Sequence, residues 1–306
     1  MKGLAALPRI IIDTDPGVDD AIAILMALAA PTVDVAGLTV VGGNVSHARA
    51  LRNARALLEY VGKSDIPVHR GSSRPLTGKF ASARNFHGGS GLTRRLPKPT
   101  ADIPPQGAVD FLAEQLSANP GEVTLVSIGP LTNLARLERQ YPGSLAQAAS
   151  LVIMGGAVDS PGNIRPQAEF NFYCDPLAAR EVMTTGLPMT LVDLAACRQV
   201  AMSREMANSL KSRNRLGLLA LQIIQNWFKA DESRESMLFY DQIAMASAIC
   251  PAVMTTRQVT VEVEAEGPEA GVSRAAPGGG PVALADKVDS EGLLALTGQW
   301  LGWEAA

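Results

Sequence analysis

Short, unbroken apolar runs recur along this chain, each followed by a polar turn and then a stretch with apolar residues at helical spacing. Ile10-Ile11-Ile12 is the first run, and a helical stretch from Asp19 to Ala30 follows it. Val33–Val41 reads as the next strand. Ser46–Val61 reads as the next helix, with Ala50, Ala54, Leu57, Leu58 and Val61 at helical spacing. Buried-type strands are expected at Val123–Ile128, Leu151–Met154 and Leu187–Leu194, with helices starting near Leu131 and Pro176. Farther on, helices are expected at Arg204–Lys211, Leu216–Lys229 and Asp241–Ala248, and strands near Val259–Val263 and Val282–Ala285. The alternation predicts an α/β fold, an open and mostly parallel Rossmann-like sheet with helices on both faces.

No internal repeat or Ser- or Pro-rich linker divides the chain, so one domain over residues 1–306 is expected. Gly71–Pro105 is rich in Gly, Ser and Pro, and a loop that long inside a domain reads as a functional lid. Pro277–Pro281, with three glycines, reads as a flexible loop tip. Hydrophobic residues at 47% and charged residues at 19% argue against disorder. A net charge of -3 offers nothing to draw nucleic acid, so a small neutral substrate fits better. Cys174, Cys197 and Cys250 lack zinc-site spacing and read as reduced, mostly buried thiols of a cytoplasmic protein. Met1–Pro8 lacks the pattern of a signal peptide, and the longest apolar run, Ala21–Ala30, is too short to span a bilayer. A soluble protein with no membrane partner is expected.

The chemistry concentrates in Asp13-Thr14-Asp15-Pro16-Gly17-Val18-Asp19-Asp20, directly after the first apolar run. It holds four carboxylates and no Lys or Arg. Asp13 and Asp15, two apart at a strand end, point the same way. Pro16-Gly17 makes the turn, and Asp19 and Asp20 open the next helix. Each close like-charged pair costs about 1 to 4 kcal/mol at 4 Å. A helix dipole, at about 0.3–1 kcal/mol, does not offset that for four of them. A hard cation with oxygen ligands does, and Ca²⁺ or Mg²⁺ suits such a set.

Asn44, Gly129, Gly155, Gly156 and Asp193 also fall just past apolar runs, where an open α/β sheet binds its ligands. With Asn163, Glu169 and Asn171 they suggest a rim that recognises a polyol, while Asp193 is taken as structural. His47, in a helix, and His69, on a short strand, are expected to be structural or solvent-facing, and His87 in the long loop is the candidate for chemistry.

These residues resemble the inosine-uridine preferring nucleoside hydrolases along essentially the whole chain. The Asp13–Asp20 run matches that family's N-terminal signature, and Thr39-Val40-Val41-Gly42-Gly43-Asn44 its second strand and ribose-contacting Asn. Phe86-His87-Gly88-Gly89-Ser90-Gly91-Leu92 resembles the mobile-loop motif. Gly129-Pro130-Leu131-Thr132-Asn133-Leu134 follows the residue, here Ile128, whose carbonyl would bind calcium. Met154-Gly155-Gly156, Gly162-Asn163 and Ala168-Glu169-Phe170-Asn171 match the ribose-binding segment, and Tyr240-Asp241 stands where the last calcium ligand belongs.

The resemblance implies Ca²⁺-dependent hydrolysis of ribonucleosides to ribose and free base in nucleoside salvage, by a homo-oligomer (dimer or tetramer). Asp15, Asp20, Asp241 and the Ile128 carbonyl would hold the metal, with Asp15 also the general base. Asp19, Asn44, Met154, Asn163, Glu169, Phe170 and Asn171 would bind substrate. Two departures bear on the departing base: Tyr240 replaces the usual His, and Gly89-Ser90 replace an acidic pair. His87, delivered by loop motion, and Tyr240 are therefore both candidate acids. The alternatives are a phosphatase of the haloacid dehalogenase type, which also opens on Asp-x-Asp, and a non-catalytic calcium-dependent nucleoside- or sugar-binding protein.

Overall fold

A computed structural model describes residues 7–305, so most of the segment read as lacking a signal peptide lies outside the described residues. The strands are β1 (Arg9–Thr14), β2 (Asp34–Val40), β3 (Val68–Arg70), β4 (Val123–Ser127), β5 (Ser150–Met154), β6 (Thr190–Val192) and β7 (Ala201–Ser203). Then come β8 (Leu210–Ser212), β9 (Ser236–Leu238), β10 (Met254–Val263), β11 (Ser273–Ala275), β12 (Gly280–Val288) and β13 (Trp303–Ala305). The helices are α1 (Val18–Ala29), α2 (His47–Tyr60), α3 (Arg84–His87), α4 (Ala108–Ala118), α5 (Thr132–Gln140) and α6 (Phe170–Cys174). They continue with α7 (Pro176–Met183), α8 (Leu194–Cys197), α9 (Arg204–Ser209), α10 (Arg215–Lys229), α11 (Asp241–Ile249) and α12 (Ser290–Leu301).

Nine strands form one sheet in the order β11-β10-β12-β6-β5-β4-β1-β2-β3. From β12 to β3 every neighbouring pair is parallel, and β10 alone runs antiparallel to its neighbours. Ile10, Ile11 and Ile12 sit at the centre, at most 1% exposed, because β1 has β2 on one side and β4 on the other. The chain winds outward from β1 in both directions. The order reverses between β1 and β4, and loops beyond their carboxyl ends diverge and leave a crevice.

Apolar side chains pack on both faces of the sheet. One layer gathers α1, α2, α10, α11 and α12, and the other α4, α5 and α7. Val18 to Ala27 of α1 are all buried, including Asp19 and Asp20, so this helix is covered on every side.

Several boundaries differ from the sequence reading. β6 is short because Pro188 precedes it and the Asp193 side chain caps α8, accepting from the Ala195 and Ala196 amides. α9 stops at Ser209, and β8 pairs with β13 instead of continuing the helix. β10 begins at Met254 through an exposed polar stretch. α4 and α12 were not anticipated. The 71–105 segment contains α3 and is pinned along its length. The Ser72 amide donates to Asn133 at 2.8 Å and the Leu76 amide to Asp175 at 2.8 Å. Asn53 donates to the Ser90 carbonyl at 3.0 Å, and Glu59 accepts from the Ala101 amide at 2.7 Å. Cys174 and Cys197 are buried free thiols and Cys250 a half-buried one. Among the described residues, no helix is long and apolar enough to cross a membrane.

Candidate active site

The turn after β1 is built around its own carboxylates. Asp20 accepts from the Thr14 hydroxyl at 2.6 Å and from the amides of Asp15 and Gly17 at 3.2 and 2.9 Å. Asp15 accepts from the Asn44 amide at 2.5 Å, and the Asn44 side chain donates to both Asp15 and Asp20. Gly43 and Gly129 are needed for this close approach. A Cβ at either position would press on the Asp15 carboxylate. Asp13 turns to the Thr39 hydroxyl at 2.6 Å and the Asn133 amide at 2.7 Å, bracing β1 between β2 and α5. Asp241 joins the cluster at the first position of α11.

Asp13, Asp15, Asp19, Asp20 and Asp241 are each at most 5% exposed, and none has an ion-pair partner among the described residues. Burial pushes Asp13 up to about 7. Burial and then Asp20 raise Asp15 well above the carboxylate range, and the same two causes push Asp19 up to about 7. Asp241 is raised by burial and then by Asp20, Asp19 and Asp15. Ionised together at neutral pH, these groups need a cation. The oxygen-only donors, with the Ile128 carbonyl at the same crevice and a buried, unpartnered Asp19 Oδ1, fit a hard divalent ion. As they stand the carboxylates are spread over amides, and the Ile128 carbonyl accepts from Asn171 at 3.1 Å. Among the described residues no three His, Cys, Asp or Glu side chains converge as ligands. Donor chemistry, rather than a preformed cage, makes the fit.

Above the aspartates opens a cleft of about 460 Å³. Asp19, Asn44, His87, Ile128, Met154, Asn163, Glu169, Phe170, Asn171, Tyr240 and Asp241 all line it. Of the expected site residues, only Asp15 and Asp20 do not; both have zero exposure. Glu169 caps α6, accepting from the amides of Asn171, Phe172 and Gly156, and burial pushes it up to about 7. Asn171 donates to the Ile128 and Met154 carbonyls, and Asn163 accepts from the Phe170 amide at 2.9 Å. The sequence reading missed Ser82, Ala83, Asn85 and Ile164, which carry no periodic signal, and gave no role to Phe86, which it quoted only within the loop motif. It also missed Thr39 and Asn133, which lie inside the quoted motifs but were given no role of their own.

His87 is already seated in the cleft, 4% exposed, rather than waiting in an open loop. Its Nδ1 accepts from the Val18 amide at 3.0 Å, so the ring hydrogen of the neutral form resides on Nε2. Burial, and secondarily Arg234, push it down to about 3. Phe86 beside it packs on Trp227, whose indole donates to the Phe86 carbonyl at 3.1 Å. Tyr240 is half-buried, and its hydroxyl is raised by burial and then by Asp19. His69 is structural, stacked on Phe111 with Nδ1 at 3.1 Å from the Gln106 carbonyl. Asp193 is structural too.

The family model for inosine-uridine preferring nucleoside hydrolases matches residues 10–295. Uridine nucleosidase 1 of Arabidopsis thaliana is 37% identical over 265 residues, covering 85% of this chain and 79% of that protein. A non-specific ribonucleoside hydrolase of Salmonella paratyphi A is 36% identical over 273 residues, with 86% of each chain covered. Among solved structures, a plant nucleoside hydrolase superposes with a TM-score of 0.90 at 32% identity, over 96% of this chain and 98% of that one. With the family model matched across residues 10–295 and relatives this similar over most of both chains, the chain belongs to the inosine-uridine preferring nucleoside hydrolase family.

Proposed function

We propose that the cleft hydrolyses the N-glycosidic bond of ribonucleosides to ribose and free base, with Ca²⁺ held by Asp15, Asp20, Asp241 and the Ile128 carbonyl. The observation that carries this reading is the set of five buried aspartates, without a counter-charge among the described residues, beneath a cleft walled by amides and carboxylates. Bound there, the cation would offset the carboxylate charge, grip sugar hydroxyls and acidify a water. Asp15, steadied by the Asn44 amide, takes the water's proton as general base. Asp19, Asn44, Asn163, Glu169 and Asn171 address the ribose, with Met154 and Phe170 beside them. A reducing-sugar assay across a panel of ribonucleosides, with and without chelator, tests the reading directly.

A phosphatase using Asp13 as nucleophile is disfavoured, because Asp13 is 3% exposed and already held by Thr39 and Asn133. The continuous nine-stranded sheet supports one domain. A cytoplasmic homo-oligomer engaged in salvage rests on the family likeness.

The leaving base has two candidate donors, and burial favours the neutral form of each. His87, held as the Nε2-H tautomer and pushed down to about 3, offers a hydrogen bond rather than an imidazolium proton. Tyr240 stays a phenol at neutral pH. Removing a true acid slows a natural nucleoside by about 10²–10⁴-fold. p-Nitrophenyl riboside, whose leaving group needs little protonation, is barely affected. Tyr240→Phe or His87→Ala is expected to show this split, whichever residue protonates the departing base, and equal slowing of both substrates, or of neither, excludes that residue as the acid. The His87→Ala loss should stay constant between about pH 5.5 and 8, because His87 does not change charge there.

A further inference from the structure

A second cavity, of about 650 Å³, opens beside the cleft, and Ser82 lines both. The two differ in charge. The cleft stands over five buried aspartates, whereas no Asp or Glu lines the cavity. Arg74, Lys79 and Arg84 line it instead, all exposed, and none has an ion-pair partner among the described residues. Other surface arginines do find carboxylates, as Arg139 finds Glu181 and Arg257 finds Asp159. In a chain with 30 acidic and 27 basic residues, three unpaired cations around one hollow depart from the average surface. Ser46 and His47, where α2 begins, line it too. The Ser46 side chain caps no amide and the first turn of α2 carries no acid, so the helix dipole adds to the positive field. The hollow is also held in shape. Phe80 lies against Gly42, where a Cβ would come within 2.8 Å of its ring, and Gly78 turns the chain at φ 74°. The Leu76 amide on Asp175 and the Ala83 amide on the Asn44 carbonyl, at 3.2 Å, tie down the two ends of this segment.

We propose that this cavity binds a phosphate dianion, free or carried as a monoester by a small molecule, on Arg74, Lys79 and Arg84. Guanidinium forks match phosphate oxygens in pairs, and a lysine adds a mobile point charge. Ser46 and Ser82 offer hydroxyls to the oxygens that remain. The volume falls in the range of small-molecule sites. The aspartates under the cleft repel the same ligand, so the two sites select by charge. Half-buried Phe80 lines the cavity as well, an aromatic face that a nucleotide base could stack on and free phosphate could not. The site goes beyond the nucleoside reading of the cleft and does not depend on it.

The experiment is a calorimetric titration of the full chain, calcium-loaded and freed of excess metal, at physiological ionic strength. The probes are inorganic phosphate, ribose 5-phosphate and uridine 5′-monophosphate. At least one should bind at a single saturable site with Kd below about 1 mM. Arg74→Ser combined with Lys79→Ser is expected to weaken that binding at least about 10- to 100-fold, the size of one hydrogen bond between charged groups. Both side chains are exposed, so the melting temperature should not move. Arg84→Ser alone gives a second route to the same loss without touching the 72–80 loop. Lys211→Ser with Arg213→Ser removes equal charge from a distant surface and should change affinity less than about twofold. The three probes separate the sources. Equal affinities assign free phosphate as the ligand, and tighter ribose 5-phosphate assigns a sugar phosphate. A further gain of about tenfold for uridine 5′-monophosphate, lost in Phe80→Ala, assigns a nucleotide. The proposal is overturned if no probe saturates by about 10 mM. It is overturned equally if the cavity variants bind as wild type does, which puts the phosphate elsewhere. Equal weakening by the distant pair would show net charge alone at work and would overturn it too.

Discussion

Thoroughly chelated protein is expected to release no ribose from uridine or inosine, and added calcium to restore the activity. Asp15→Asn and Asp241→Asn should each remain about 10²–10⁴-fold slower with calcium present. Ribose release at the full rate from metal-free protein would sink the mechanism. Stability should move the other way. Without metal, Asp241 is a buried carboxylate raised by burial and by Asp20, Asp19 and Asp15, so Asp241→Asn removes a penalty. The metal-free variant should unfold at a higher temperature than metal-free wild type, while calcium stabilises only the wild type strongly. The pH dependence follows the same sign. Asp13 and Glu169 are each pushed up to about 7 in the folded protein, well above the ordinary range near 4 of the unfolded chain. The folded state therefore binds these protons more tightly, and chelated protein gains stability as pH falls from about 8 toward 5. Calcium-loaded protein loses stability over the same interval, because protons compete with the ion for its ligands. Thermal melts with and without chelator across that range check both slopes.

The second large effect concerns the sugar. Asn44 reaches the cleft from the loop after β2, Asp19 from the first turn of α1, and Glu169 and Asn171 from the start of α6, and each is at most 8% exposed. A substrate lacking the 2′-hydroxyl leaves such buried groups without partners. Sites that hydrogen-bond a hydroxyl reject its absence by about 10⁴–10⁵-fold. Deoxyuridine is accordingly expected to be cleaved that much less efficiently than uridine, judged by kcat/KM. Comparable values for the two nucleosides would refute the clamp.

The eight residues from Asp13 to Asp20 point both to metal chemistry and to its place in the fold. Carboxylates without a counter-charge, set directly behind a buried strand, are hard to account for without a cation. The parallel sheet is equally legible, because central strands such as β1 and β5 are continuous apolar runs. Less legible is whatever depends on a distant partner. Nothing near His87 in sequence foretells that the Val18 amide seats it and fixes its tautomer. The 71–105 segment reads as a free lid because its anchors, Asn53, Asn133 and Asp175, lie in other elements. β10 reads five residues short, since Thr255–Gln258 are exposed and give no apolar alternation. α4 is lost in the shadow of the Gly- and Pro-rich stretch before it.

The burial of α1 on every side has a consequence for the order of assembly. This helix carries two of the site's aspartates, and part of its cover comes from α12, where Thr297 meets Met26 across 271 residues of sequence. A ribosome therefore releases the most apolar helix of the protein early and its last covering layer near the end. Through most of translation α1 is an unshielded greasy surface, a natural client for chaperones that recognise such segments. The carboxylates proposed to hold the metal, at its N-terminus, are expected to settle only once the final helix docks. Nascent chains stalled before Ser290 should therefore bind hydrophobic dyes and retain no calcium, whatever the state of their first strands.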